Sequence, residues 1–263
     1  MMQNDFGLIS IIMAAYNAEK TIKQAINSVL SQTYTNFELL VVNDCSKDRT
    51  AELVKRIAAT DRRVRLISNV KNSGVSYTRK HGLEEANGSW IAILDSDDAW
   101  APEKLEKQIE LQDRTNAELL FTGSAFMDSE GHPIDWYLHA PKEVTYRQLL
   151  KQNVLSNSSA LVRKELYAKH YAIGDGMHED FAIWLSILKE GKKAYGVDEP
   201  LLIYRIAKSS KSGNKVKAAK MNWNTYRYIG LNPIEATYYE GWYMIKNVIK
   251  YTNLKISGGY KMR

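Results

Sequence analysis

The chain is 263 residues long, 44% of them hydrophobic and 25% charged, with one cysteine, Cys45. That length supports one sizeable core with an appendage, and the composition excludes a wholly disordered chain, an internal disulfide and a thiolate zinc cluster. The net charge of +6 is uneven: Arg205–Arg263 carries 12 Lys/Arg against Glu235 and Glu240, whereas the preceding 204 residues hold 24 Lys/Arg and 28 Asp/Glu.

Leu8–Ala15 (LISIIMAA) is a continuous apolar run, the pattern of a strand buried on both faces of a parallel sheet. Lys20–Gln32 then places Ile22, Ala25, Ile26, Val29 and Leu30 at helical spacing. Phe37–Val42 reads as a second strand, stopping at Asn43-Asp44. Ser46–Ala59 reads as a helix capped by Ser46, with Leu53, Val54 and Ile57 inward. Val64–Ile67 is a third strand, Ser73–Ala86 a third helix, and Trp90–Leu94 a fourth strand that runs into Asp95-Ser96-Asp97-Asp98. Such alternation predicts right-handed crossovers and a mostly parallel sheet, with ligands beyond the carboxyl ends of its strands. Tyr16-Asn17, Asn43-Asp44 and Asp95-Ser96-Asp97 would then converge on one crevice.

Further along, Pro102–Arg114 reads as a helix, Ala117–Met127 as a strand, Asp128–Pro133 as a turn and Val154–Val162 as a strand. His178–Lys189 is a helix opening with Glu179-Asp180, and Ala194–Tyr204 returns as a strand. Ala207–Lys217 is basic and rich in Gly and Ser, so it reads as a loop or hinge. Two helices, Val216–Ile229 and Pro233–Ile249, follow.

Adjacent carboxylates repel, so Asp95-Ser96-Asp97-Asp98 is costly unless a cation or hydrogen-bond donors gather there. An acidic turn capping the next helix would look the same in isolation. At the end of a fourth strand, a site for a hard divalent ion shared with substrate phosphates is the better reading. Asp44 and Glu19 can cap helices or accept hydrogen bonds from a base or ribose. Tyr16 can stack on a base or simply pack, and Arg79 can reach a phosphate or remain an ordinary helix charge. Glu179 and Asp180 suit a helix amino terminus, and equally a general base acting on an acceptor hydroxyl. His178 beside them is either an ordinary packed residue or a metal or acceptor contact. The dinucleotide fingerprint, the Walker A loop, H-E-x-x-H and the G-x-S-x-G elbow do not occur.

Taken together, Ser10–Asn17 with Glu19, Ser28–Thr33, Glu38–Asp44 with Ser46, Asp48 and Thr50, Asn72-Ser73-Gly74, Arg79, Gly88, Leu94–Asp98 and His178-Glu179-Asp180 resemble, in order and spacing, the inverting family-2 glycosyltransferases of the GT-A fold. The resemblance covers about the first 205 residues and looks closest to bacterial enzymes of surface-polysaccharide synthesis. It implies an α/β GT-A domain over 1–206, with a nucleotide-sugar half (1–98) and an acceptor half (99–206), followed by a basic, aromatic-rich helical tail (207–263). Ala14, Tyr16, Asn17, Glu19 and Asp44 would hold the base and ribose of a UDP-sugar. Asn72, Gly74, Arg79 and Ser96 belong to the same nucleotide-binding set. Asp95 would contact ribose or metal-bound water, and Asp97, with Asp95, would bind Mn²⁺ or Mg²⁺. Asp180 would be the general base, with Glu179 beside it. Many relatives carry a proline where this chain has Ala14. Tyr204–Lys211 resembles a mobile loop near the diphosphate, which Arg205 or Ser209 would touch. Side chains around Trp100, Phe121–Ser124 and Asn157 would shape the sugar pocket.

The expected function is metal-dependent inverting transfer to a saccharide or lipid-linked saccharide. A nucleotide-sugar-binding protein without turnover and a sugar nucleotidyltransferase are the alternatives; the latter would need a Gly-rich phosphate loop that is missing. No apolar run approaches the roughly 18–20 residues of a membrane span, and Met1–Gly7 does not read as a secretory signal, so a cytoplasmic location is expected. Nine Trp/Tyr between Trp223 and Tyr260 sit among basic residues. They suit the inner face of an anionic membrane, with burial on the body or a homodimer contact as the other readings. Nucleic acid is disfavoured, because no recognition motif accompanies the charge.

Overall fold

The computed structural model describes residues 6–174, 176–206 and 215–258. Its first half alternates as the hydrophobic runs require: β1 (Ile9–Ala15), α1 (Ile22–Leu30), β2 (Phe37–Asn43), α2 (Thr50–Ala58), β3 (Val64–Ser68), α3 (Val75–Glu84) and β4 (Trp90–Ile93). β1 lies parallel to both β2 and β4, with Ala15 opposite Asn43 and Ile12 opposite Ile93. The strand order therefore reverses at β1, and a crevice opens beyond its carboxyl end.

The period-2 alternation of each strand sorts its side chains into two layers. Ile9, Ile11, Met13, Phe37, Leu39 and Val41 pack with Ile22, Ile26 and Val54 of α1 and α2. Ile12 and Leu40 point the other way, into a core shared with later helices. On that side α3 lies close to the sheet at Gly82, where an added Cβ would stand 2.7 Å from Ile12 Cγ2 and 3.1 Å from Val42 Cγ2. At the opposite end of the strands, the buried Ser10 hydroxyl donates to Glu38 (2.7 Å) and accepts the Gly88 N–H (2.8 Å). These three motif residues therefore build the scaffold far from the crevice.

The second half contains β5 (Ala99–Trp100), α4 (Lys104–Thr115), β6 (Leu119–Met127), β7 (Pro133–Leu138), β8 (Glu143–Val144), α5 (Tyr146–Lys151), β9 (Leu161–Arg163), α6 (Lys164–Lys169), α7 (Glu179–Lys189), β10 (Ala194–Arg205), α8 (Lys215–Tyr228) and α9 (Pro233–Gly258). The sheet runs β3-β2-β1-β4-β9-β6-β10-β5, with antiparallel pairs at β4–β9, β9–β6 and β10–β5.

Several expectations are corrected. Val154–Val162 is not one strand but a 3-10 turn at Asn157–Ser159 followed by β9. Ser159 donates both its N–H and its hydroxyl to Ser156 O, a local alternative to strand pairing that short hydroxyl side chains favour. α2 starts at Thr50 rather than after Ser46, because Asp48 Oδ1 accepts the Thr50 N–H at 2.9 Å. α5 was unanticipated, although Thr145 and Gln148 form the capping box that announces it. The basic stretch Ala207–Lys217 lies outside the described residues up to 214, and Lys215–Lys217 already belong to α8.

The two C-terminal helices share the core of the body. Tyr226 is fully buried, donates to Leu150 O at 2.6 Å, and packs its ring against Phe181 and Tyr239. Tyr243 lies 6.0 Å from Phe181, ring to ring. Tyr228, Tyr238 and Trp242 stay at the surface, and Tyr251 and Tyr260 lie outside the described side chains. Among the described residues, no helix is long and apolar enough to cross a membrane.

Candidate active site

Three loops at the carboxyl ends of β1, β2 and β3 are laced together by side chains. Asn17 adopts a left-handed backbone conformation (φ 51°), which asparagine tolerates better than most residues. Its N–H donates to Ser46 Oγ (3.0 Å), and its Oδ1 accepts the Lys47 N–H (2.7 Å). The Glu19 N–H donates to Asp48, and Glu19 Oε2 in return accepts the Arg49 N–H. Asp44, almost entirely buried, accepts the N–H groups of Ser73 and Gly74 (both 2.9 Å) and the Asn69 amide (2.7 Å). Asn72 donates to the Asp44 carbonyl. Gly74, at φ 82°, opens α3 in a conformation a side chain would resist. Tyr16 stands half-exposed at the rim, and Ala14 lies within β1 opposite Val42.

The acidic turn after β4 is fixed from behind. Asp95 N–H donates to Ser158 Oγ at 3.2 Å, and the indole N–H of the buried Trp100 donates to Ser158 O at 2.7 Å. Arg205, at the end of β10, donates its backbone N–H to Asp98 Oδ1 (3.0 Å) and its Nε to the Asp97 carbonyl (2.8 Å). Its remaining nitrogens reach Gln24, Asp128 O and Ser129 O. The expected contact between Arg205 and a diphosphate is thereby corrected: this guanidinium is buried and committed to backbone and amide oxygens. Ser209 lies outside the described residues.

Arg79, which the sequence left as either a phosphate contact or an ordinary exposed helix charge, has both terminal nitrogens engaged. It bridges Asp95 (2.5 Å) and Glu179 (2.6 Å) from a position only 6% exposed. Burial opposes its charge, but the two carboxylates overcome that cost and hold the guanidinium protonated above its usual range. Burial also pushes Glu179 upward, with Arg79 pulling the other way. Asp97 is raised first by burial and then by Asp95, and Asp98 well above the usual range by burial, Asp95 and Asp97. Burial and mutual repulsion thus both oppose ionisation on this turn.

Asp95 and Asp180, 85 positions apart in sequence, line one cavity of about 260 Å³ whose other walls include Asn157, Leu138, Tyr204 and Tyr243. Asn157 is 8% exposed, and neither its Oδ1 nor its Nδ2 has a hydrogen-bond partner. A buried amide without partners is costly, and a polar ligand would relieve it. Of the residues expected around the sugar pocket, Asn157 lines this cavity. Trp100 is buried behind the acidic turn, and Phe121–Ser124 belong to the buried part of β6. Tyr204 opens the segment expected near the diphosphate; Leu138 and Tyr243 were missed, because only the tertiary fold brings their elements to the cleft. His178 stands at the start of α7, its N–H donating to Thr225 Oγ1. Ser96 lies partly exposed between the two aspartates.

Among the described residues, no group of three or more His, Cys, Asp or Glu forms a ready-made ion cage. The donor set is nonetheless suited to a hard divalent ion. Carboxylate groups whose mutual repulsion a cation would relieve stand on one turn, and phosphate and water would complete the coordination.

The family model for Glycosyl transferase family 2 matches residues 10–170. A putative teichuronic acid biosynthesis glycosyltransferase, TuaG of Bacillus subtilis, is 37% identical over 87% of this chain and 90% of its own length. WfgD of Escherichia coli, a UDP-Glc:α-D-GlcNAc-diphosphoundecaprenol β-1,3-glucosyltransferase, is 35% identical over 93% of this chain and 95% of its own. In three dimensions the chain is similar to TarS of S. aureus, solved with UDP-GlcNAc, at a TM-score of 0.68 and 21% identity over 87% of this chain and 69% of that one. Sequence and architecture agree, and the chain belongs to glycosyltransferase family 2, on a GT-A fold.

Proposed function

We propose that the protein is a metal-dependent inverting glycosyltransferase that moves a sugar from a UDP-sugar to a hydroxyl of a lipid-linked saccharide during assembly of a bacterial surface polysaccharide. The observation that carries this reading is the shared cavity of Asp95 and Asp180, which opens beside the point where the strand order reverses. The donor and acceptor classes follow WfgD and TuaG, whose names specify a UDP-sugar, a diphosphoundecaprenol acceptor and teichuronic acid.

The loops ordered by Asn17, Glu19 and Asp44 form a rigid rim for base and ribose, with Ala14, Tyr16, Asn72, Gly74 and Ser96 in the same set. Asp97, supported by Asp95, would hold Mn²⁺ or Mg²⁺, and the bound ion supplies positive charge to the leaving diphosphate. Asn157 offers a donor and an acceptor to sugar hydroxyls. Asp180 is the general base. Its neighbour Glu179 is occupied by Arg79 and serves to position the start of α7 rather than to take the proton. Asp180 accepts the proton of the acceptor hydroxyl as that oxygen attacks the anomeric carbon from the face opposite the diphosphate, which inverts configuration. Residues 1–98 act as the nucleotide half and 99–206 as the acceptor half, on the cytoplasmic side of the membrane.

The test is UDP release and product anomericity with UDP-Glc, a GlcNAc-diphospholipid analogue and Mn²⁺. Asp180→Asn should lower turnover by about 10²–10⁴ while retaining UDP affinity. A product with retained configuration, or undiminished turnover in the variant, contradicts the assignment.

A further inference from the structure

α9 is amphipathic in an unusual sense: both of its faces are apolar. The inner face, Ala236, Tyr239 and Tyr243, packs on the body. The outer face should be polar, yet Ile234 (82% exposed), Tyr238 (56%) and Ile245 (53%) stand in line at helical spacing, with Trp242 on the shoulder. A row of exposed large apolar side chains marks an interaction surface.

The charge around the row selects its occupant. Among the described side chains of α8 and α9, Lys217, Lys220, Arg227 and Lys246 are exposed bases, against the acids Glu235 and Glu240. Both acids are engaged. Glu240 is buried against Asn222, and Glu235 accepts the Asn232 N–H in a cap. The neighbouring α5 adds the exposed Arg147 and the partly buried Lys151, whose ammonium lies 5.6 Å from the Trp242 ring. A second copy laid on this face would set these bases against the same bases, with Glu235 the one exposed acid of α8 and α9 among the described residues. An anionic bilayer satisfies both features, taking the apolar row into the headgroup boundary and the bases against lipid phosphates.

We infer that the outer face of α9, through Ile234, Tyr238, Trp242 and Ile245, docks the enzyme on the surface of an anionic membrane. Because Tyr243 on the same helix lines the cavity of Asp95 and Asp180, docking sets the catalytic cleft close to the lipid surface. The inference concerns location and stands whether or not the acceptor assignment holds.

The experiment is co-sedimentation of the full chain with vesicles of equimolar phosphatidylglycerol and phosphatidylcholine, with phosphatidylcholine vesicles in parallel. The wild type should pellet with the anionic vesicles, less so at high salt. The triple substitution Ile234→Ser, Tyr238→Ser and Ile245→Ser, at exposed positions and with an unchanged melting temperature, should bind at least about tenfold more weakly. Vesicles with brominated chains should quench wild-type tryptophan fluorescence, and Trp242→Phe should remove most of that quenching. The inference is overturned if the wild type stays in the supernatant, or if the triple variant pellets equally. It is likewise overturned if the substitutions instead turn a vesicle-free dimer into a monomer.

Discussion

Replacing Arg79 by methionine keeps most of the side-chain volume and removes one charge that serves two carboxylates. Breaking a buried ion pair by deleting one partner typically costs about 3–5 kcal/mol, because the other charge is left uncompensated. Here the two partners are unequal. The Glu179 side chain is only 14% exposed and would carry most of the penalty, whereas that of Asp95 is 34% exposed and can be rehydrated. Arg79 Nε has no partner, which further lowers what the guanidinium contributes. The expected loss therefore sits near the lower end, about 3 kcal/mol at neutral pH, or roughly 6–12 °C in melting temperature for a chain of this size. Its pH dependence has a definite sign. Burial raises Glu179 above its ordinary 4.5, and Arg79 restrains that rise. Without Arg79 the folded state binds this proton more readily still, so falling pH relieves the strain and the gap between variant and wild type narrows on the acid side. Scanning calorimetry of both proteins from about pH 5 to 8 measures this. In the double variant Arg79→Met/Glu179→Gln part of the loss should return, since the buried charge has gone. A deficit below about 1 kcal/mol, or one that widens toward acid, would refute the reasoning.

Gly82→Ala should destabilise the fold by about 1–3 kcal/mol, because its methyl would press on Ile12 and Val42; an unchanged denaturant midpoint would show that α3 can lift off the sheet. Asp97→Asn should abolish the EDTA-sensitive part of UDP binding seen by calorimetry. Since burial and Asp95 raise Asp97, wild-type binding of UDP with Mn²⁺ should release protons and weaken as the pH falls; insensitivity to EDTA in the wild type would count against any cation role. Asn157→Ala should raise the donor or acceptor KM by about tenfold while improving or sparing stability, since it removes two unsatisfied buried atoms; a large fall in melting temperature would show the amide to be structural instead.

The parallel half of the fold was legible because each strand is a short, mostly apolar run ended by polar residues, and the helices repeat their apolar residues at helical spacing. β1, β2, β4 and α1 lie where those patterns put them, within a residue or two at each end. The second half was less legible for a physical reason. β5 and β8 are two residues long, and β9 three, so none carries a periodicity; they exist because β4, β6 and β10 offer edges to pair with. At the site, the acidic turn and Glu179-Asp180 were visible as charges at element ends. That Arg79 would be buried between Asp95 and Glu179 was not, because 16 and 100 positions separate it from them and nothing local distinguishes it from an exposed helix arginine. The anchoring role of Arg205 escaped for the same reason: its five side-chain and backbone hydrogen bonds go to oxygens from three separate segments.

The way the acids are shared out explains how the turn after β4 and the start of α7 can bring five carboxyl groups to one region and still fold. Asp95 and Glu179 divide the single guanidinium of Arg79, which fixes the distance between the acidic turn and the start of α7. Asp98 turns inward and accepts the Arg205 N–H, and burial together with Asp95 and Asp97 raises its pKa well above the usual carboxylate range. Arg205 secures the turn through the Asp97 carbonyl and leaves that carboxylate's charge in place. Among the described residues, the ion pairs of the site stop at Asp95 and Glu179, so Asp97 and Asp180 lie outside them. The proposed function gives each of these two a task that an unpaired carboxylate suits, Asp97 to face a cation and Asp180 to receive a proton. A protein that neutralised all its acids would be more stable and would have nothing left with which to grip a diphosphate or activate a hydroxyl.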